Sequence, residues 1–256
     1  MENKEAIKQV VKDKYHQIAS QDKQANAASC CGSGDASDEV YNIMNDDYSE
    51  LEGYEEEADL GLGCGLPTQF ALIEEGDTII DLGSGAGNDC FVARNETGAT
   101  GKVIGIDFVE SMVTKARKNA EQLGHNNVEF RFGDIEAMPI SDNSADVVVS
   151  NCVLNLLPNK ENIFKEVYRV LNPAGHFSIS DIVLLGELPE GLKNDAEMYA
   201  GCVSGAIQKD QYLNLVEDAG FQNITIQKEK AINLPNDILK RYLSETELQR
   251  FNRNGT

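Results

Sequence analysis

The side chains with the widest chemical reach in this chain are its cysteines, at positions 30, 31, 64, 90, 152 and 202. No C-x-x-C pair occurs, and none of His16, His125 and His176 stands at zinc-finger spacing from a cysteine, so the pattern does not build a structural zinc site. Two readings stay open at this level. Free cysteines are usually buried as small hydrophobes, whereas thiols converging from several segments would hold a soft, thiophilic centre. Cys90, beside Phe91 on the apolar face of a predicted helix, fits the first. Cys64 in LGLGCGLPT and Cys202 in YAGCVSGA sit in glycine-rich loops, Cys152 directly follows Asn151 at the end of a predicted strand, and Cys30-Cys31-Gly32 interrupts a polar loop.

The second chemical feature is Thr78 to Gly87, TIIDLGSGAG, an apolar run that enters a turn with Gly83, Gly85 and Gly87 at every second position. Glycines there supply positive backbone dihedrals and let a ligand approach the main chain. The spacing is not the dinucleotide pattern G-x-G-x-x-G, because Asn88 stands where its last glycine belongs. A nucleoside ligand without a pyrophosphate is therefore expected.

In an open α/β sheet such a ligand lies beyond the carboxyl ends of the strands. The residues there are Asp81, Asp107, Asp134 and Asn151. Asp107 is placed to accept both ribose hydroxyls and to exclude a 2′-phosphate. Asp134, in FGDIE, is placed to accept from an exocyclic adenine amine, with the Ile135 backbone suited to a ring nitrogen, and Asp81 would face a cationic amino group. Phe108 and Met112 either sandwich the adenine or pack in the core. Any one of these aspartates is also at home as a turn or cap residue; together they repel a pyrophosphate and suit a cationic nucleoside with an amino acid tail. S-adenosylmethionine has that charge pattern.

From about Glu75 to Asp181, with VIGID and FGDIE in place, the chain resembles the class I methyltransferases that use S-adenosyl-L-methionine. With LGLGCGLPT, SNCVLNL, YAGCVSGA and the Cys30-Cys31 doublet, it resembles the arsenite methyltransferases over nearly its whole length. That resemblance implies methyl transfer to trivalent arsenic, supplied as arsenite or its thiol conjugates, with Cys64, Cys152 and Cys202 as the arsenic ligands. It also implies that Cys30 or Cys31 pairs transiently with Cys64 and is reset by a thiol reductant such as thioredoxin or glutathione. The residues agree with such chemistry: a trigonal set of thiolates leaves the arsenic lone pair facing away from the sulfurs, and an in-line displacement by a lone pair needs alignment and exclusion of water but no general base. Two other readings use the same residues. One is a methyltransferase for a carbon or oxygen acceptor such as a quinone precursor, with the cysteines incidental; the other is a non-catalytic binder of a soft metalloid.

To position these groups the chain must alternate strands and helices. Strands are predicted at Thr78–Leu82, Lys102–Asp107, Val128–Phe132, Ala145–Asn151 and His176–Val183, with helices through Phe91, at Ser111–Leu123 and near Asn159–Leu171. The pattern is a doubly wound, Rossmann-like α/β sheet with right-handed crossovers. An amphipathic helix over Lys4–Ser20 precedes it, with Ile7, Val10, Val11, Tyr15 and Ile18 on one face. Then come a polar loop to Asp38 and an acidic stretch in which Tyr41, Tyr48 and Tyr54 either close over the cofactor or anchor packing. A C-terminal α+β lobe is expected to contribute a lid to Gly205, a helix at Lys209–Ala219, a strand at Ile224–Ile232 and a helix at Pro235–Leu243. The divisions are 1–74, 75–184 and 185–256. The closing Asn254-Gly255-Thr256 is a hairpin-type turn signal with no strand behind it, as if the chain were cut short.

Composition sets outer bounds. A length of 256 residues buries an ample core, and 22 Lys plus Arg against 43 Asp plus Glu leave a formal charge of −21. Such a surface repels nucleic acid and anionic lipid. With no signal-like apolar run and no segment of membrane-spanning length, a cytoplasmic protein without membrane partners is expected.

Overall fold

The computed structural model describes residues 2–21, 46–193, 202–232, 234 and 236–254; Cys30, Cys31 and Tyr41 lie outside them. Five strands form one parallel sheet in the order β3-β2-β1-β4-β5: β1 Thr78–Leu82, β2 Lys102–Asp107, β3 Val128–Phe132, β4 Ala145–Asn151 and β5 Leu171–Ser180. The helices are α1 Glu2–Ala19, α2 Asn88–Thr97, α3 Glu110–Leu123, α4 Lys160–Val170, α5 Glu190–Lys193, α6 Lys209–Asp218, α7 Asn236–Tyr242 and α8 Glu245–Asn254. Among the described residues no helix is long and apolar enough to cross a membrane.

The central strands are nearly continuous β-branched runs because both of their faces are covered. Ile79, Val103, Val147 and Val149 turn to the face packed by Phe91 of α2, Met112, Val113 and Ala116 of α3, and Ile18 of α1. Their neighbours Ile80, Leu82, Ile104, Ile106 and Val148 turn to the opposite face, against Ile163, Phe164 and Val167 of α4 and Tyr212 and Val216 of α6. Each such side chain, taken from water, stabilises the fold by roughly 1.5–3 kcal/mol. A third cluster joins Leu188, Leu192, Val203, Leu239, Leu243 and Leu248 from the C-terminal third.

Two expectations need correction. The last strand begins earlier and ends earlier than His176–Val183. Leu171 pairs with Ala145 and His176 with Val147, so Asn172 to Gly175, which include a proline without an N–H, form an irregularity inside the strand. The strand stops at Ser180 because the Asp181 carboxylate takes the Ile182 N–H at 3.0 Å and Asn155 donates to the Ile182 carbonyl at 2.7 Å, the groups a longer ladder would use.

No strand forms over Ile224–Ile232, and the described C-terminal residues are helical or irregular, not α+β. That stretch is tied down by ion pairs, Lys209 to Glu229 and Lys228 and Lys230 to Asp46 at 2.9 and 3.1 Å, instead of by a sheet edge. A last helix runs over Glu245–Asn254, and Gly255 and Thr256 of the expected turn lie outside the described residues. Its start is a capping box: Ser244 N–H and Oγ donate to Glu247 Oε2 at 2.9 and 2.6 Å, while Glu247 N–H returns to Ser244 Oγ at 3.4 Å.

Candidate functional site

The strand order reverses between β1 and β4, and the turn after β1 opens there. Gly83 and Ser84 donate their N–H groups to the Ile106 carbonyl at 2.8 and 3.0 Å, which bends the chain back across the end of β2. Gly83 has φ +67°, and a Cβ on it would meet Val153 at 2.5 Å. Gly85 has φ +51° but nothing within 4 Å of where its Cβ would be. The first glycine is thus required by packing, and the second faces open space.

That space is a cleft open to solvent, lined by the Gly83–Ala86 turn, Asn88, Asp89, Asp107, Phe108, Asn151, Cys152 and Val153. Its other wall comes from outside the sheet, from Tyr15 of α1 and from Tyr48 and Ala58–Gly63 of the stretch before β1. Two buried polar atoms in the lining, Ser84 Oγ and Asn88 Oδ1, have no hydrogen-bond partner in the protein. Orphaned polar atoms at an α/β switch point, beside a bare glycine and a buried carboxylate, are what a polar nucleoside would satisfy.

The predicted cofactor residues divide into two groups. Asp107, Phe108, Asn151, Gly83 and Gly85 line the cleft. Asp107 accepts from Gly85 N at 3.0 Å and Val109 N at 2.8 Å, one on each oxygen, which leaves lone pairs for a ligand. Burial pushes its carboxyl up to about 6, against the opposing backbone hydrogen bonds.

Asp81, Gly87, Met112, Asp134 and Ile135 are not in the lining. Asp81 lies under the turn and accepts from the Cys90 thiol at 3.2 Å; burial first, then the charge of Asp89, raises it well above the usual carboxylate range. Cys90 is fully buried, as its sequence context predicts, although it bonds a carboxyl group there. A Cβ on Gly87 would strike the rings of Phe130 and Phe91, and Met112 and Ile135 are core residues. Asp134 is bound instead to Lys8 of α1 at 2.6 Å, and Lys8 also reaches Glu136 at 2.9 Å.

Several lining residues escaped the sequence reading. Asp89 in the first turn of α2 is one, and an acidic residue just inside a helix start was its signal. Burial raises its carboxyl to about 6, opposed by hydrogen bonds from Tyr48 and Asn151. Tyr15 is another: α1 packs on α3, with Lys12 Nζ 5.4 Å from the Phe108 ring centre and His16 Nδ1 3.0 Å from Ser111 Oγ. Nothing local in the α1 sequence says that its apolar face closes a ligand cleft.

The cysteines expected to act together are brought together. Cys152 and Cys202 are buried in one cluster with Val11 and Leu156, and Cys64 packs against it. Cys152 also lines the cleft, so the two sites share a wall. The Cys202 thiol donates to the Cys152 carbonyl at 2.8 Å, and Cys64 Sγ lies 3.7 Å from the Ser180 carbonyl. Hydrogen bonds with Cys202 and Cys64, then burial, hold the Cys152 thiol well above its ordinary pKa. For Cys64 the hydrogen bond from Cys152 favours the thiolate, but burial and the charges of Asp181 and Cys202 outweigh it, and the thiol is raised.

Among the described residues no three His, Cys, Asp or Glu side chains are arranged to hold a metal ion. Two of the thiols are directed at carbonyls, Cys202 at that of Cys152 and Cys64 at that of Ser180. Both Cys152 and Cys202 have left-handed backbones, φ +60° and +64°. That conformation costs a non-glycine residue on the order of 1 kcal/mol and concentrates at functional sites.

Behind the cluster lies a polar layer that the sequence reading did not single out. Asp181 accepts from Asn155 at 2.9 Å and from Tyr212 at 3.1 Å, and burial raises it to about 7 against the charge of Lys160. Lys160 is itself buried and donates to the Gly205 carbonyl at 2.8 Å, three residues beyond Cys202.

A family model described as a methyltransferase domain matches residues 73–220, so the chain belongs to the methyltransferase-domain family. A domain of this kind implies S-adenosylmethionine as the methyl donor. Within the family the chain is similar to arsenite methyltransferases. It is 40% identical to that of Halobacterium salinarum over 87% of this chain and 59% of that protein, and 35% identical to the human one over 72% and 51%. The solved structure of an arsenic(III) S-adenosylmethionine methyltransferase from Chlamydomonas reinhardtii is 31% identical, with a TM-score of 0.57, over 72% of this chain and 62% of that one. The chain spans about half to three-fifths of the length of these curated relatives.

Proposed function

We propose that this protein is an arsenite methyltransferase that holds trivalent arsenic, as substrate, on Cys64, Cys152 and Cys202 beside the cofactor cleft. The observation that carries the reading is the shared wall: Cys152 belongs both to the thiol cluster and to the cleft lining. Similarity to the arsenite methyltransferases supports the same substrate.

The cleft residues fit the cofactor. Asp107 would receive its ribose hydroxyls, Ser84 Oγ and Asn88 Oδ1 would gain the partners they lack, and Asp89 would offset its positive charge. When bound, S-adenosylmethionine supplies an electrophilic methyl group. Each cysteine loads by exchanging a thiol S–H for a sulfur–arsenic bond, and its proton leaves with a hydroxide of arsenous acid as water. Raised thiol pKa values for Cys64 and Cys152 mean that this proton travels with the reaction and is not lost beforehand. Val11 and Tyr15 of α1 cover the junction of cluster and cleft and keep water from it. The three-sulfur set, the transient pairing of Cys30 or Cys31 with Cys64, and the thiol reductant belong to this proposal, as does the division into 1–74, 75–184 and 185–256.

The test is a labelled-methyl assay with arsenite and a thiol. Wild-type protein should release labelled methylarsenicals, and Cys152→Ser and Cys202→Ser should not. Methylarsenicals that survive both substitutions would overturn the three-sulfur set, and a wild type that yields none would move the assignment to a carbon or oxygen acceptor or to a non-catalytic binder.

A further inference from the structure

A hydrogen-bonded chain runs from the cofactor cleft to Cys64. Tyr48 is 2% exposed, and its hydroxyl lies 2.8 Å from Asp89 Oδ1 and 3.0 Å from the Gly65 carbonyl. The Asn151 amide Nδ2 donates to the Gly65 carbonyl at 2.9 Å, reaches Asp89 Oδ2 at 3.2 Å and contacts the Tyr48 hydroxyl. Its Oδ1 accepts from the Cys64 N–H at 3.0 Å. A Cβ on Gly63 would meet Asn151 Nδ2 at 2.7 Å and one on Gly65 would meet Ser180 Oγ at 2.0 Å, so the loop carrying Cys64 is pressed against the ends of β4 and β5.

Tyr48 has one hydrogen to give and Asn151 has two, and they are shared among the two oxygens of Asp89, the Gly65 carbonyl and the Tyr48 hydroxyl oxygen that Asn151 Nδ2 also contacts. Both oxygens of Asp89 are open to these donors when it is a carboxylate. Tyr48, Asp89 and Asn151 all line the cleft, so a cation bound there favours that carboxylate and stabilises the arrangement that holds the Cys64 backbone.

We propose that Tyr48 is a positioning residue which couples occupancy of the cofactor cleft to capture of trivalent arsenic at Cys64, by locking Asp89 and the Asn151 amide in the orientation that fixes the Cys64 loop. The proposal rests on the arsenite methyltransferase reading above. Without the hydroxyl, Asp89 Oδ1 is left buried and short of a donor. The Asn151 amide turns to supply it and gives up Cys64.

The experiment measures arsenite affinity of the full chain by equilibrium dialysis, alone, with a cationic analogue of S-adenosylmethionine that has no methyl group to transfer, and with S-adenosylhomocysteine as the neutral comparison. Wild type should bind arsenite at least about fivefold tighter with the cationic analogue present, the lower end of ordinary coupling. Tyr48→Phe should reduce that factor to below about twofold and raise KM for arsenite by more than it lowers kcat, with a Tm lowered by the unpaired Asp89 oxygen. Should Tyr48→Phe fail to fold, Asn151→Ala, which removes the acceptor of the Cys64 N–H without placing a second carboxylate beside Asp89, should abolish the coupling. Coupling that persists in a folded Tyr48→Phe protein, or its absence from a wild type that does bind arsenite, overturns the role of Tyr48. A wild type that binds no arsenite overturns the underlying reading as well.

Discussion

The cofactor turn and the thiol cluster meet at Cys152, yet they are built in opposite ways. The turn is one stretch of strand, glycines and helix whose shape follows from local dihedrals and a few backbone bonds to β2. The cluster is assembled across the chain: Cys202 bonds a carbonyl 50 positions away, and Cys64 is held by an amide 87 positions away. It also stores two left-handed cysteines. A locally encoded site tolerates loosening of the lobes around it, and a site assembled from several segments does not.

The sharpest break should come from the cluster. Cys202→Ser is expected to lower arsenite methylation by more than the roughly 100-fold that loss of a supporting partner costs a ligand site. Calorimetric binding of S-adenosylhomocysteine should stay within about threefold of wild type, which would separate the two regions; a comparable loss of both would show that they form one unit.

Within the turn, Gly83→Ala and Gly85→Ala should differ in kind. Gly83→Ala meets Val153 and should cost stability by roughly 2 kcal/mol or more, read as a lower urea midpoint. Gly85→Ala enters open space, so its main effect should be weaker S-adenosylhomocysteine binding, with a stability loss of about 1 kcal/mol from its positive φ.

The pH dependence of the turn has a definite sign. Burial raises the Asp107 carboxyl from its ordinary value to about 6 in the folded protein, so the folded state holds its proton more tightly than the unfolded chain does. Its stabilising contribution is complete below about pH 4 and is lost as pH rises towards 6, at on the order of 1 kcal/mol per unit. Asp107→Asn should make the urea midpoint fall less steeply over that window, with Asp89 and Asp181 keeping part of the slope, while affinity for S-adenosylhomocysteine in the wild type rises through it as the carboxylate forms. A midpoint with the same slope in both proteins would remove Asp107 from the account.

The smallest effect concerns the covering helix. Lys8→Met removes the partner of Asp134 and Glu136 and should speed hydrogen exchange in α1, with a stability change of about 1 kcal/mol. The thiol cluster should become more reactive to a maleimide probe than the cofactor turn becomes disordered, because Val11 packs directly on Cys152 and Cys202.

Much of this molecule follows from its sequence alone. The first four strands, the glycine turn and α3 lie where period and turn chemistry put them, because each is decided by residues within a few positions of one another. The Ser244 to Glu247 capping box is equally legible as a helix start. The false strand over Ile224–Ile232 has the right residue types but lies where ion pairs hold the segment instead of a ladder, and local pattern carries no information about partners.

The site divides along the same line. The sequence placed Asp107, Phe108 and Asn151 at the strand ends beside the cleft, since strand register determines them. Only the tertiary structure decided that Asp134 would be taken by Lys8, that Asp81 would be buried under the turn with Cys90, and that Tyr48 would join Asp89 to the Cys64 loop. Those are contests between long-range partners for the same lone pairs and protons, and distance and burial settle them.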